Sequence, residues 1–455
     1  MSQPSTRSAV STILPTGLML FALFFGAGNL IFPPLLGAAS GRSFIPVMVG
    51  FLATGVLMPL ITVVAVSTSG EGILGLARRV GPRFGAVMPL AVYLAIGPLY
   101  AIARVTTVAY ELATRPVLEL LGIQDSRLAL LVHVTVFMGV SFSIARSPSR
   151  LADRVGRWLT PALLALLALL CGVTIVMSPR VEREAIEPYA SAPLTNGLTQ
   201  GYLTMDVLAA TVFGIVVITS LRERGLTSPR ALVRGTVLSG GIAAVLLGLV
   251  YVGLAVLGTR TRGQITVDTK DGTALLRNAA SSTLGTSGVV IFAAIVILAC
   301  LTTAVGLMAS WAGYAYTAWP AVSFTLANLG LSAILKIAGP LLFLLYPLAI
   351  ALVAVTLVDA VAPGRLKAAY RWCVTAAGIL GSVPAITAAG WDGPSRLLAR
   401  TGLWSDSTGW IPPALLALGI GIVLDIRSGA WFTPAPGEPP SRAQQDVEHA
   451  AASQL

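Results

Sequence analysis

Long apolar runs set the layout of this chain. They cover residues 13–37, 44–66, 86–109, 128–144 and 159–177, then, after the polar loop SPRVEREAIEPYASAPLTN, residues 202–221, 231–257, 288–310, 321–335 and 341–358, and finally 373–389 and 411–426. Each is close to the roughly 20 residues a helix needs to cross a bilayer, so the pattern predicts about twelve spans. The ninth is short and runs almost directly into the tenth. Two runs are interrupted. In the first, LMLFALFFGAGNLIFPPLL sets Gly26, Gly28, Asn29, Pro33 and Pro34 among apolar residues. Freed backbone at membrane depth persists only where protein buries it or a cavity receives it. The same small residues also allow two helices to approach closely. In the sixth run, GYLTMDVLAATVFGIV places Gly201, Thr204, Asp206, Thr211 and Gly214 in or at the mouth of an apolar stretch. A carboxylate inside a span is costly and points to function; at a helix start it is equally an N-terminal cap.

An odd number of spans in each half forces the halves to enter the membrane in opposite senses. Five spans, an acid-bearing loop and five more therefore predict an inverted repeat, with the substrate held at mid-membrane where the first helix of each half is broken. The expected organisation is one membrane-embedded domain: a first repeat over 13–177, a second over 200–358, two extra helices over 373–426, and a disordered cytoplasmic tail over 428–455.

Composition agrees: 55% of residues are hydrophobic and 11% charged, outside the range of soluble globular domains. The net charge of +11 does not point to nucleic acid, because the basic residues sit in short loops between apolar runs. Arg78, Arg79 and Arg83, then Arg146, Arg150, Arg154 and Arg157, then Arg222, Arg224, Arg230 and Arg234, then Arg365, Lys367 and Arg371 all fall in loops on one side. The positive-inside rule makes that side, and both termini, cytoplasmic. The longest opposite loop, 258–287, carries basic residues of its own, but long loops translocate with little regard to charge. Cys171, Cys300 and Cys373 lie in apolar stretches without CxxC spacing, which indicates neither a disulfide framework nor a metal site. The first span is too long for a signal h-region and is expected to be retained.

Isolated polar residues have simpler readings. Arg104 and Glu111 lie two helical turns apart and are expected to pair with each other or to mark an outer gate. His133 reads as a satisfied buried histidine, Lys336 and Asp359 as snorkelling residues near span ends, and Trp311, Trp319, Trp404 and Trp410 as an aromatic belt. The sequence shows no P-loop, nucleophile elbow, metal-ligand cluster or catalytic dyad, so an enzyme is not expected.

These residues resemble a known family. FALFFGAGNLIFPPLLG in span 1 and GYLTMD in span 6 are similar to the two long signatures of the bacterial branched-chain amino acid carriers of the system II type, which share the LeuT-like fold. YLAIGP with Arg104 in span 3, LTTAVGL in span 8, ANLGL and LYP agree. Ala103 departs from the family's usual proline before Arg104, which bears on the bend of span 3, and the connection after span 8, around 313–318, is shorter than usual. The resemblance implies an all-α membrane protein with a LeuT-like core of ten spans, broken at the first and sixth, plus two peripheral helices. It implies uptake of leucine, isoleucine and valine across the bacterial cytoplasmic membrane, driven by sodium or protons, with no cofactor. A same-fold carrier of another small neutral amino acid, and a sensor or channel without gradient-driven accumulation, are the alternatives.

A zwitterion at mid-membrane needs a partner for each charge. Free N–H groups of the half-helix beginning near Gly28 suit the carboxylate, and carbonyls released over Phe24, Phe25, Gly26 and Ala27 and at the second break suit the ammonium or a cation. Asn29, Thr204 and Asp206 join this expected site, with Phe213 and Gly214 beside the aliphatic side chain. By analogy with the fold, Ala22 and Phe25 carbonyls, the Ala299 carbonyl and the Thr302 and Thr303 hydroxyls form a sodium site through an A-x-x-T-T spacing. Hydroxyls bonded back to the preceding helical turn account for the two threonines equally. Asp206 as the carrier of a coupled proton keeps the identity of the ion open.

Overall fold

The computed structural model describes residues 6–69, 72–146, 151–179, 184–260, 272–310, 319–402, 404–405 and 407–433. A helix stands at each of the twelve predicted positions. Among the described residues seven helices are long and apolar enough to cross a bilayer, or ten when each sharply bent pair counts as one span. The ninth (Trp319–Asn328) and twelfth (Ile411–Arg427) are shorter, with 10 and 17 residues.

Span 1 is two helices, Thr6–Phe24 and Ala27–Ala39, and span 6 is Pro193–Leu203 and Asp206–Glu223. The bends are 73° and 47°. Other boundaries move for identifiable reasons. Helix 9 stops at Asn328 because Gly330 adopts a left-handed φ of 87°, the usual glycine terminator. Residues 331–335 therefore belong to the next helix, Leu331–Val361, rather than to span 9 as expected. Helix 8 begins at Gly272, inside the predicted outer loop, and turns at Gly285. Its first part, rich in Ala, Ser and Thr, is too polar to register as an apolar run. Span 3 bends where Gly97 (φ −86°, ψ −110°) precedes Pro98, while Ala103 sits buried in the regular helix Ala101–Ala109. The bend thus needs no proline at 103.

The chain divides into two bodies. The first comprises Met1–Thr68 and Tyr93–Leu335, and both broken spans lie in it. Here the first half of span 1 packs on span 7, and the first half of span 6 packs on span 2. That exchange of partners is what an inverted repeat produces, since it relates span 1 to span 6 and span 2 to span 7. Small residues permit the approach: a Cβ on Gly50 or Gly197 would run into the backbone of the facing helix, and one on Gly37 or Gly258 likewise. Leu128, Val132, Val136 and Val140, one turn apart, form an outward apolar row on span 4, as a lipid-facing helix requires.

The second body comprises Ser69–Val92 and Lys336–Leu455. Asp359 does not snorkel, contrary to expectation. Its carboxylate is buried and accepts from Arg79 at 3.0 Å, Tyr370 at 3.3 Å and the Leu366 amide at 2.9 Å. Asp425, also buried, accepts from the amides of Lys367, Ala368 and Ala369 and so caps the start of span 11 (Ala368–Ala388). Trp410 is not in a belt: it is 2% exposed and donates to Ser407 O at 3.2 Å, whereas among the described residues Trp158, Trp372 and Trp391 are the exposed tryptophans. Trp404 is partly buried. The Trp311, Trp319 and Lys336 side chains, the short connection at 313–318 and the tail beyond 433 lie outside the described residues.

Candidate functional site

The two breaks face each other. Phe25 and Gly26 interrupt span 1, with Gly26 extended (φ −97°, ψ −175°) and its amide turned onto Phe24 O at 2.8 Å. That leaves Ala22 O without its helical donor. At the second break Thr204 ends the first half, and its hydroxyl donates to Gly201 O at 2.8 Å. Met205 then takes a left-handed conformation (φ 62°), which costs a residue with a Cβ about 1–2 kcal/mol. Asp206 is the first residue of the next half-helix; Met205 occupies the cap position, so Asp206 is not the cap.

Asn29 and Asp206, both buried, join across the gap: Asn29 Nδ2 donates to Asp206 Oδ2 at 2.7 Å, and also to the Tyr251 hydroxyl. The Thr204 and Tyr251 hydroxyls and the charge of Arg104 also bear on the Asp206 carboxyl. Tyr251, fully buried in span 7 (Pro229–Gly258), has its ring against Phe25 and Phe51. Sequence reasoning missed it. The available signal was one tyrosine amid aliphatic residues in LLGLVYVGLAV, whose hydroxyl must find a partner when buried.

Beside the first break, span 8 supplies two hydroxyls. Thr302 Oγ1 lies 2.9 Å from Ala22 O and 3.1 Å from Ala299 O, and Thr303 Oγ1 lies 3.2 Å from Leu23 O. Four of the five residues expected around a cation converge here; the second carbonyl to meet a hydroxyl is that of Leu23, not Phe25. A Cβ on Gly26 would stand 3.1 Å from Thr303 Oγ1, so this glycine also serves close packing against span 8. Phe24 and Phe213 form an edge-to-face pair at 5.4 Å. Gly214 lies two turns beyond Asp206 and packs on Val66 of span 2. Ala27 begins the second half of span 1; its side chain lies outside the described residues.

Arg104 does not pair with Glu111. Seven residues separate them by roughly 10 Å of helix rise, and Glu111 instead takes Arg115, one turn away, at 2.9 Å. Arg104 Nη1 donates to Tyr100 OH at 2.9 Å. His133 is satisfied, with Nδ1 at 2.8 Å from Thr114 Oγ1 and Nε2 at 3.1 Å from Thr106 O.

Residues 9–428 match the family described as branched-chain amino acid transport protein. The chain belongs to that family. It is similar to the branched-chain amino acid permease BrnQ of Corynebacterium glutamicum, 39% identical over 91% of this chain and 95% of that one. It is also similar to the branched-chain amino acid transport system 2 carrier protein of Pseudomonas aeruginosa, 38% identical over 91% and 96%. Among solved structures, a manganese transporter of Eremococcus coleocola aligns with a TM-score of 0.55 at 14% identity, covering 94% of this chain and 97% of that one. Mhp1, a nucleobase-cation-symport-1 family transporter in a closed conformation with bromovinylhydantoin bound, aligns at 0.51 and 15% over 95% and 96%. At such identities the likeness shows the fold alone, and it is the LeuT-like one. This branched-chain amino acid transport protein is thus an all-helical, multi-pass membrane transporter and not an enzyme. Among its described residues no group of three or more His, Cys, Asp and Glu is placed to hold a metal ion.

Proposed function

We propose that the chain is a secondary active symporter that imports leucine, isoleucine and valine with sodium or protons by alternating access. Its place is the bacterial cytoplasmic membrane, with both termini in the cytoplasm. The repeats run over 13–177 and 200–358, with two peripheral helices over 373–426.

The observation that carries this reading is the meeting of two broken helices through Asn29 and Asp206, 177 positions apart in sequence. Each break frees backbone groups at membrane depth, which persist only where protein buries them or a cavity receives them, and here a buried carboxylate and amide meet between the two breaks. The substrate ammonium takes Asp206, Thr204 and the carbonyls of Phe24 to Ala27. The substrate carboxylate takes the Gly28 amide, since the Asn29 amide already donates to Gly26 O at 3.1 Å, and the aliphatic side chain rests on Phe24 and Phe213 near Gly214. The coupling ion, if sodium, takes Ala22, Ala299, Thr302 and Thr303 beside Phe25. Those are hard oxygen donors, and the span 1 carbonyls among them already lack helical partners.

The test is uptake of labelled leucine, isoleucine, valine and alanine into proteoliposomes, with and without inward sodium or proton gradients. Accumulation of the branched substrates above equilibrium under one gradient supports symport. Equilibration without accumulation would mark a channel, and equal uptake of alanine a carrier of broader choice.

A further inference from the structure

Arg104 carries a full positive charge within a transmembrane helix, and a guanidinium at that depth requires an anionic partner or exceptional hydration. Among the described residues it makes no ion pair. Its contacts are the Tyr100 hydroxyl through Nη1 and the Tyr100 ring, 5.4 Å from Cζ. Both fix the direction of the side chain without neutralising it. Nη2 is aimed elsewhere: a Cβ built on Gly28 would stand 3.6 Å from it. Gly28 is in the first turn of the second half of span 1, where unpaired amides and the helix dipole present positive potential. Two positive features therefore converge on one point. Proteins avoid that arrangement unless an anion completes it, and glycine at 28 leaves the space between them open.

The carboxyl of Asp206 is near enough to be influenced by Arg104, yet it already accepts from Asn29 at 2.7 Å and makes no direct contact with the guanidinium. Asn29 and Asp206 are buried, whereas Gly28 and Arg104 retain partial exposure, as groups must if a ligand is to reach them. We infer that Arg104 receives the carboxylate of the transported amino acid at Gly28, while Asp206 faces its ammonium. The inference rests on the amino acid transport reading above and specifies it: recognition of the carboxylate is shared between a half-helix start and a cation from span 3. Tyr100 is then a positioning residue, holding the guanidinium by one of its donors and leaving the other side of the fork for the ligand.

The test compares binding of L-leucine and L-leucinamide, which keeps the ammonium and side chain but has no carboxylate charge, to purified full-length protein. Thermal stabilisation and competition against labelled leucine are the readouts. In Arg104→Gln leucine affinity should fall roughly ten- to hundredfold, the worth of hydrogen bonds to a charged group, while that for leucinamide changes less than about twofold. Arg104→Lys, which keeps a point charge but not the fork, should lie between for leucine and match wild type for leucinamide. It also serves if the glutamine variant fails to fold. Equal weakening of both ligands would make Arg104 merely a counter-charge to Asp206 and overturn the inference, as would unchanged leucine affinity. If the wild-type protein binds neither ligand, the transport reading fails first, and the inference with it.

Discussion

Replacing Thr302 and Thr303 together by valine separates two roles that the same geometry allows. In the structure their hydroxyls meet Ala22 O and Leu23 O at 2.9 and 3.2 Å, so they already cap carbonyls that the break in span 1 has stripped of helical donors. Valine has nearly the volume of threonine, and the change opens little cavity. Each carbonyl left unpaired costs about 1–3 kcal/mol, so the variant should be measurably less stable than wild type even without any ion. If the hydroxyls are also sodium ligands, the variant loses two hard oxygen donors as well. At roughly 1.5–3 kcal/mol for each interaction with a charged group, the sodium concentration for half-maximal uptake should rise at least about tenfold.

The assay is leucine uptake into proteoliposomes against external sodium, paired with thermal unfolding in sodium and in potassium. Serine at both positions restores the hydroxyls and should restore both quantities. A valine variant that loses stability yet keeps the wild-type sodium dependence refutes the ion site: the threonines would then be caps and nothing more.

Three further outcomes are expected. Asn29→Leu removes the donor that joins the two breaks and should abolish transport while the protein still inserts, as read by uptake against surface-normalised expression; normal uptake would reduce the break to a packing device. If Asp206 is ionised and holds the ammonium, Asp206→Asn should weaken leucine binding at least about tenfold; if instead it carries the coupled proton, the variant should retain leucine–leucine exchange while losing accumulation. Wild-type exchange and accumulation together would exclude the residue from the site. Arg79→Ala removes the ion-pair partner of the buried Asp359 carboxylate and should cost about 3–5 kcal/mol in thermal or denaturant unfolding, whereas a paired apolar replacement of both residues should cost less.

How much of this was legible depended on the distance over which the information is carried. The break in span 1 announces itself because glycine, asparagine and proline cluster within a single apolar run, and Asp206 because a carboxylate within a span is too costly to persist without a role. The resemblance to the LeuT-like fold implied that Thr302 and Thr303 would meet span 1, and their hydroxyls lie there. Partners far apart in sequence were not legible. Asp359 reads as a span-end residue until Arg79, 280 positions earlier, is placed beside it. For Arg104 the acid on its own helix is the only partner visible along the chain, and helix geometry gives that acid to Arg115. Tyr251 looks like one more membrane aromatic until Asn29 is seen donating to it. The helix from Gly272 was hidden for a different reason, since its first part is polar and hydropathy reports burial in lipid rather than helicity.

The hydrogen bonds at the breaks also bear on how tightly such a carrier binds its substrate. Asp206 is not waiting with bare lone pairs; it holds the Asn29 amide, with the Thr204 and Tyr251 hydroxyls close by. The threonine hydroxyls of span 8 likewise hold the loose carbonyls of span 1. Under the proposed function, an arriving ammonium or cation would exchange existing bonds for its own rather than satisfy vacant groups, and only the difference would appear as affinity. If these groups form the proposed site, their acceptors are hydrogen-bonded before any substrate arrives. On the proposed reading, the broken helices provide polar groups whose alternative partners lie within the same site, and loading would rearrange the hydrogen bonds about Asn29, Asp206, Thr302 and Thr303.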